Sequence, residues 1–223
     1  MINRRKFLKT AVASALLLQF PLLMRASETQ AFLYEAFGEV PSPNSIQKVL
    51  SAGPVADILL LSLVPNKLMG LASLTLTAEQ KAFLPEKIVN LPKTGRFAGR
   101  GTTASLENII QLKPDIIIDI GTVSPAYLST AERFYEQTNI PYILANGAFS
   151  QTGTQIRTLG EILGVKDHAK LLADYVDGVL EKTHNIVRKN PVGEPLKVYS
   201  ARSADGLETG LQGSIHKKPA KRL

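Results

Sequence analysis

Two arginines in a glycine-bracketed stretch, Gly95-Arg96-Phe97 and Gly99-Arg100-Gly101, carry the most pointed chemistry in this chain. A guanidinium presents a rigid fork of donors that grips a carboxylate through two bonds at once. Flanking glycines let the backbone come close to a bound molecule. Arg202 offers a third guanidinium just past the apolar run Leu196–Ala201, and Tyr199 stands inside that run. Two more glycine turns, Gly53-Pro54 and Gly121-Thr122-Val123, each close an apolar run. The candidate ligand-binding set is therefore Gly53, Pro54, Arg96, Phe97, Arg100, Gly121, Thr122, Tyr199 and Arg202. Arginines of this kind equally suit solvated loops.

Other chemistries find less support. His168 and His184 fall on a long helical pattern, His216 lies beside a basic tail, and no two of the three sit at a metal-ligand spacing. Tyr127, Tyr135, Tyr142 and Tyr175 fit helix or strand packing better than ligation of a haem. The dinucleotide fingerprint G-x-G-x-x-G, the phosphate loop G-x-x-x-x-G-K-[ST] and the nucleophile elbow G-x-S-x-G are all absent. Asp115 and Asp119 bracket a buried strand with no evident acid-base partner. No catalytic residue, resident metal or cofactor is assigned, and an α/β enzyme is the weakest of the functional readings.

The elements that must position these residues alternate. Ile46–Ala52 reads as a strand, and Pro54 opens a helix over Val55–Leu63. Lys67–Ala72 reads as a second strand, and Ser105 caps a helix to Leu112 that Lys113-Pro114 ends. The β-branched run Asp115–Ile120 has the pattern of a strand buried on both faces. A helix at Pro125–Asn139, a strand at Pro141–Ala145 and a helix at Thr154–Leu163 follow. This alternation implies an α/β fold built on a Rossmann-like parallel sheet, and ligands of such sheets sit beyond the carboxyl ends of the strands. Asp167–Lys189 is a different element, a single long amphipathic helix with Leu172, Val176, Leu180 and Val187 on one face and Gly178 midway. Leu196–Ala201 then reads as the first strand of another sheet.

The formal charge of +7 suggests nucleic acid until it is located. Residues 1–31 carry a net +4 and the tail after His216 another +4, which leaves −1 for the body. A DNA binder carries its basic stripe on the fold, so nucleic acid is not an expected partner. The sequence Arg4-Arg5-Lys6-Phe7-Leu8-Lys9 precedes an apolar run, Thr10–Met24, that is too short to span a bilayer. This reads as a cleavable export signal, with the arginine pair pointing to the twin-arginine route and an ordinary secretory signal as the alternative. Cleavage after Thr29-Gln30-Ala31 would begin the mature chain near Phe32. Cysteine is absent, so disulfides and thiolate metal sites are excluded.

Several words in fixed order resemble a known family. They are Val49-Leu50-Ser51-Ala52-Gly53-Pro54, then Met69-Gly70, Leu91-Pro92 with Gly95, and Leu106-Glu107-Asn108-Ile109 before Leu112-Lys113-Pro114-Asp115-Ile116-Ile117-Ile118. Ile140-Pro141, Leu159-Gly160, Leu163-Gly164 and Ala204-Asp205-Gly206-Leu207-Glu208-Thr209 continue the series. This is similar to the periplasmic solute-binding proteins of ABC importers for iron-siderophores, haem and cobalamin, in which one rigid helix joins two α/β lobes. Ser105 stands where family members commonly have Asn.

The resemblance implies an exported, periplasmic, monomeric protein that binds a chelated metal and delivers it to an inner-membrane permease. Arg96, Arg100 and Arg202 would then meet the negative charge that such ligands often carry. It also implies a division into a signal over residues 1–31, a first lobe over 32–164, a linking helix over 165–190, the start of a second lobe over 191–216 and a basic tail over 217–223. Relatives continue well beyond this point, so the resemblance implies an incomplete second lobe. A non-functional remnant of such a protein is the alternative.

Overall fold

Six consecutive residues, Ile116–Gly121, are buried along their whole length, as a β-branched run between two covering layers must be. In the computed structural model this segment is the central strand, β3, of a four-stranded sheet. The structure describes residues 34–97, 102–189, 199, 201, 204–207 and 209. Strand β2 (Val49–Ser51) lies parallel to β3 on one side, with Leu50 opposite Ile117. Strand β4 (Tyr142–Asn146) lies parallel on the other, with Ile143 opposite Ile118.

The α/β fold and the parallel pairing of β2, β3 and β4 are as the alternation implies, and one antiparallel edge strand makes the sheet mixed. Strand β1 (Tyr34–Phe37) joins the outer edge of β4 antiparallel, pairing Tyr34 with Ala145 and Phe37 with Tyr142. Its four residues, two exposed and two half-buried, follow closely on the expected signal and give no alternation to read.

The strand expected at Lys67–Ala72 is reduced to two bridges. Leu68 pairs with Val49, and Leu71 pairs in parallel with Lys93. The segment thus changes partner at Gly70, where a Cβ would lie 2.9 Å from the Pro92 carbonyl oxygen. Of the strand expected at Leu196–Ala201, Tyr199 and Ala201 are described and neither is extended in a sheet.

The helices follow their local signals. Helix α1 (Pro54–Leu63) begins at its proline, whose missing N–H is no loss in a first turn. Two four-residue helices follow, α2 (Ala78–Lys81) and α3 (Glu86–Val89), the first closed by a capping box between Thr77 and Gln80. Helix α4 (Leu106–Leu112) is capped by Ser105, whose hydroxyl accepts from the Asn108 N–H at 3.4 Å, and it ends at left-handed Lys113 before Pro114. Helix α5 (Pro125–Thr138) ends at left-handed Asn139.

Helix α6 (Thr152–Ile162) packs against the long helix α7 (Lys166–Lys189), where Gly160 lets the Ala169 methyl come close. Arg157 on α6 holds Asp174 and Asp177 on α7 at 2.7 and 2.8 Å. The 24 residues of α7 extend roughly 36 Å. Only Ala169 and Ala173 of this helix are fully buried, and from Asp177 onward most of its residues are exposed.

Two cores flank the sheet. Leu60, Ile116, Ile118, Ile143, Ile156 and Leu163 fill the side covered by α1, α6 and α7. Leu50, Phe97, Ile109, Ile117, Tyr142 and Leu144 fill the side covered by α4 and α5.

Candidate functional site

All three parallel strands end in glycine: Gly53 after β2, Gly121 at the end of β3 and Gly147 after β4. The Gly147 N–H donates to the Gly121 carbonyl at 2.7 Å, so the last two turns are tied together. Gly53 is extended at the N-cap of α1, and the Ser51 hydroxyl donates to its carbonyl at 3.0 Å. This edge is the carboxyl end of the parallel strands, where ligands of such sheets sit.

Asp57, in the first turn of α1, fixes the neighbouring loop. It is fully buried, and its carboxylate accepts from three successive backbone N–H groups: Ala72 at 2.7 Å, Ser73 at 3.0 Å and Leu74 at 2.9 Å. Nothing in the sequence singled out Asp57, because an acidic residue early in a helix has a routine local reason to be there. Asp115 does similar work below the sheet, accepting from Gln47 and Lys48 at 2.7 and 2.8 Å.

The loop carrying Arg96 is built like a clasp. Gly95 adopts φ +86°, and a Cβ there would lie 2.6 Å from the backbone of Ala104. The Arg96 carbonyl accepts from Thr103 and Ala104 at 3.0 and 3.1 Å, while its N–H donates to the Thr103 hydroxyl at 3.0 Å. Arg96 is half-buried at the rim, beside a polar cavity of about 370 Å³ lined by Ser73, Lys93, Thr94, Thr103, Ser105 and Asn108.

Phe97 departs from its expected role. It is 2% exposed, its N–H donates to the Ala52 carbonyl at 3.1 Å, and its ring stacks on Phe134 at 4.7 Å. It anchors the clasp to the core and presents no surface to a ligand, because an aromatic ring next to an apolar layer gains more by burial than at the rim. Pro54 is exposed, Gly121 is buried backbone and Thr122 is half-buried, all on the carboxyl edge. Tyr199 is 60% exposed and in no strand. Arg100 and Arg202 lie outside the described residues.

Asp119 is the residue that sequence reasoning undervalued. It is 7% exposed, and its carboxylate accepts from the Tyr142 hydroxyl at 3.0 Å. Burial pushes its carboxyl above the usual carboxylate range, with the bonds from Tyr142 and the Ile120 N–H working against that rise. Burial and the neighbouring Asp119 push the Tyr142 phenol well above its ordinary value. The available signal was a charge interrupting the run Ile-Ile-Ile-Asp-Ile at the end of a buried strand. His168, by contrast, sits exposed with Nε2 2.9 Å from the Ser62 carbonyl, tying α7 to the end of α1.

Neither a family model nor a curated protein matches the chain. Solved structures do. An ABC transporter solute binding protein from Sulfurospirillum deleyianum is 26% identical and superposes with a TM-score of 0.69 over 79% of this chain and 55% of its own. The S. aureus IsdE structure complexed with heme is 19% identical, with a TM-score of 0.51 over 65% of this chain and 51% of its own. The TroA-like periplasmic binding protein FepB from Veillonella parvula is 17% identical, with a TM-score of 0.52 over 67% of this chain and 47% of its own. The chain thus spans about half the length of the solved structures it matches. Its fold is that of the ABC-transporter solute-binding proteins, as the sequence resemblance implied.

Proposed function

We propose that the chain is the exported solute-binding component of an ABC importer and holds a chelated metal, an iron complex, haem or cobalamin, for delivery to a membrane permease. The observation that carries this reading is the superposition on the Sulfurospirillum solute-binding protein, taken with three glycine-ended parallel strands that share one edge. Small-molecule sites combine apolar walls with a few fixed polar groups. The carboxyl edge offers Gly53 and Gly121 for close backbone approach and Arg96 for a carboxylate of the ligand. Arg100 and Arg202 join this proposal as further cationic contacts, and Pro54, Thr122 and Tyr199 as wall residues. The −1 balance of the body speaks against nucleic acid as the cargo. Arg4-Arg5 and the apolar run behind them support export to the periplasm.

The test is isothermal calorimetry on the purified chain, without its first 31 residues, against ferric hydroxamates, ferric catecholates, haem and cobalamin. Saturable binding of one class, weakened at least tenfold by Arg96→Ala, is the expected result. A chain that is folded by circular dichroism yet binds none of them would overturn the reading.

A further inference from the structure

We propose, resting on the function above, that Asp119 reads a cationic nitrogen of the ligand, an ammonium or amidinium, at the carboxyl end of β3. The geometry begins with the strand itself. Side chains alternate along β3, so Asp119 and Gly121 face the same side. Tyr142 marks that side through its hydrogen bond to Asp119. Gly121 puts no side chain on this face, and a Cβ there would meet no atom of the described residues within 4 Å. Gly53 borders the carboxylate from α1, and a Cβ there would lie 3.6 Å from Oδ1. Gly53 therefore withholds a side chain that would otherwise lie against the carboxyl.

Among the described residues, the partners of Asp119 carry no positive charge. Oδ2 takes the Tyr142 hydroxyl, and the Ile120 N–H also donates to the carboxylate. A carboxylate offers about four acceptor positions, so room remains for another donor. Among the described residues, the cations that form ion pairs are Arg157, Lys166 and Lys170, and none of them pairs with Asp119. A buried carboxylate without a counter-charge is costly, and such groups gather where a ligand completes them. Tyr142 already supplies a neutral donor, so what Asp119 lacks among the described residues is a positively charged partner. With Arg96 at the rim, the cleft would read opposite charges on one ligand.

The experiment compares a ferric trihydroxamate bearing a free ammonium arm with the same chelate acetylated on that nitrogen. Wild type should bind the ammonium form at least tenfold more tightly, and Asp119→Asn, which keeps shape and the Tyr142 bond, should bind the two forms equally. Equal binding of both forms by wild type, or an undiminished preference in Asp119→Asn, overturns the proposal. Binding of neither form counts against the chelate reading, and a second measurement then decides Asp119 alone. The ¹³C resonance of its carboxyl carbon is followed during titration with methylammonium chloride and, separately, with sodium chloride at equal concentration. A saturable shift specific to methylammonium, lost in Gly53→Val, supports the assignment. Identical responses to the two salts overturn it.

Discussion

Replacing Asp57 with asparagine should cost this fold a large part of its stability while changing almost nothing in volume. The carboxylate takes Ala72 on Oδ1 and both Ser73 and Leu74 on Oδ2, all at 3.0 Å or less, from a side chain with no exposed surface. Asparagine keeps one acceptor oxygen and turns an NH₂ group toward the remaining donors. At least one of the three N–H groups then loses its partner, and the arrangement that keeps only Ala72 loses two. Hydrogen bonds to a charged group contribute about 1.5–3 kcal/mol each, and an orphaned buried donor costs about 1–3 kcal/mol. The first turn of α1 also loses a favourable negative charge, about 0.3–1 kcal/mol.

The expected loss is about 3–5 kcal/mol, against about 5–15 kcal/mol for a typical domain. Urea denaturation followed by far-ultraviolet circular dichroism at neutral pH measures it, provided the slope with denaturant is unchanged. A loss below about 1 kcal/mol would refute the reasoning, because water would then be serving the three N–H groups as well as the carboxylate does.

Three other outcomes follow from the same structure. Asp119 binds its proton more tightly folded than unfolded, so its contribution is fully present below the unfolded value, near 3.8, and falls as pH rises through the higher folded value. Asp119→Asn should therefore be more stable than wild type at neutral pH and lose that advantage below pH 4, which thermal melts across pH would show. Gly95→Ala forces a side chain into a φ of +86° and against Ala104, and should cost about 2 kcal/mol or more and loosen the Arg96 clasp, read by denaturation and by amide exchange at Thr103 and Ala104. Changing Arg4 and Arg5 together to lysine should leave precursor in the cytoplasm of an expressing bacterium. Unchanged export on a fractionation blot would remove the twin-arginine assignment.

Most of the layer structure was legible because its signals are local. Pro54, Ser105 and Pro114 mark helix ends, and the isoleucine run at residues 116–118 admits only a buried strand. The edge strand β1 was not legible, since four residues with mixed exposure have no periodicity to read and draw their order from β4. The segment Lys67–Ala72 looked like a strand because its composition suits a sheet, but its hydrogen bonds divide between two partners. At the site, the glycine turns were legible and the burial of Phe97 was not, because a loop motif does not reveal which of its side chains turns inward. Asp119 needed the structure for a different reason. Its meaning depends on Tyr142 and on Gly53 beside its carboxylate, both distant in sequence.

The antiparallel strand has a kinetic consequence. Tyr34–Phe37 is made early, yet its partner residues, Tyr142–Ala145, lie across nearly the whole length of the lobe. The strand stays unpaired until β4 is in place, and closing that long loop raises the contact order and slows that step. Until it docks, the outer ladder of β4 stays bare, an open edge on which another chain can pair. The hazard lies in the order of folding, and it grows with the concentration of chains whose edge still stands open.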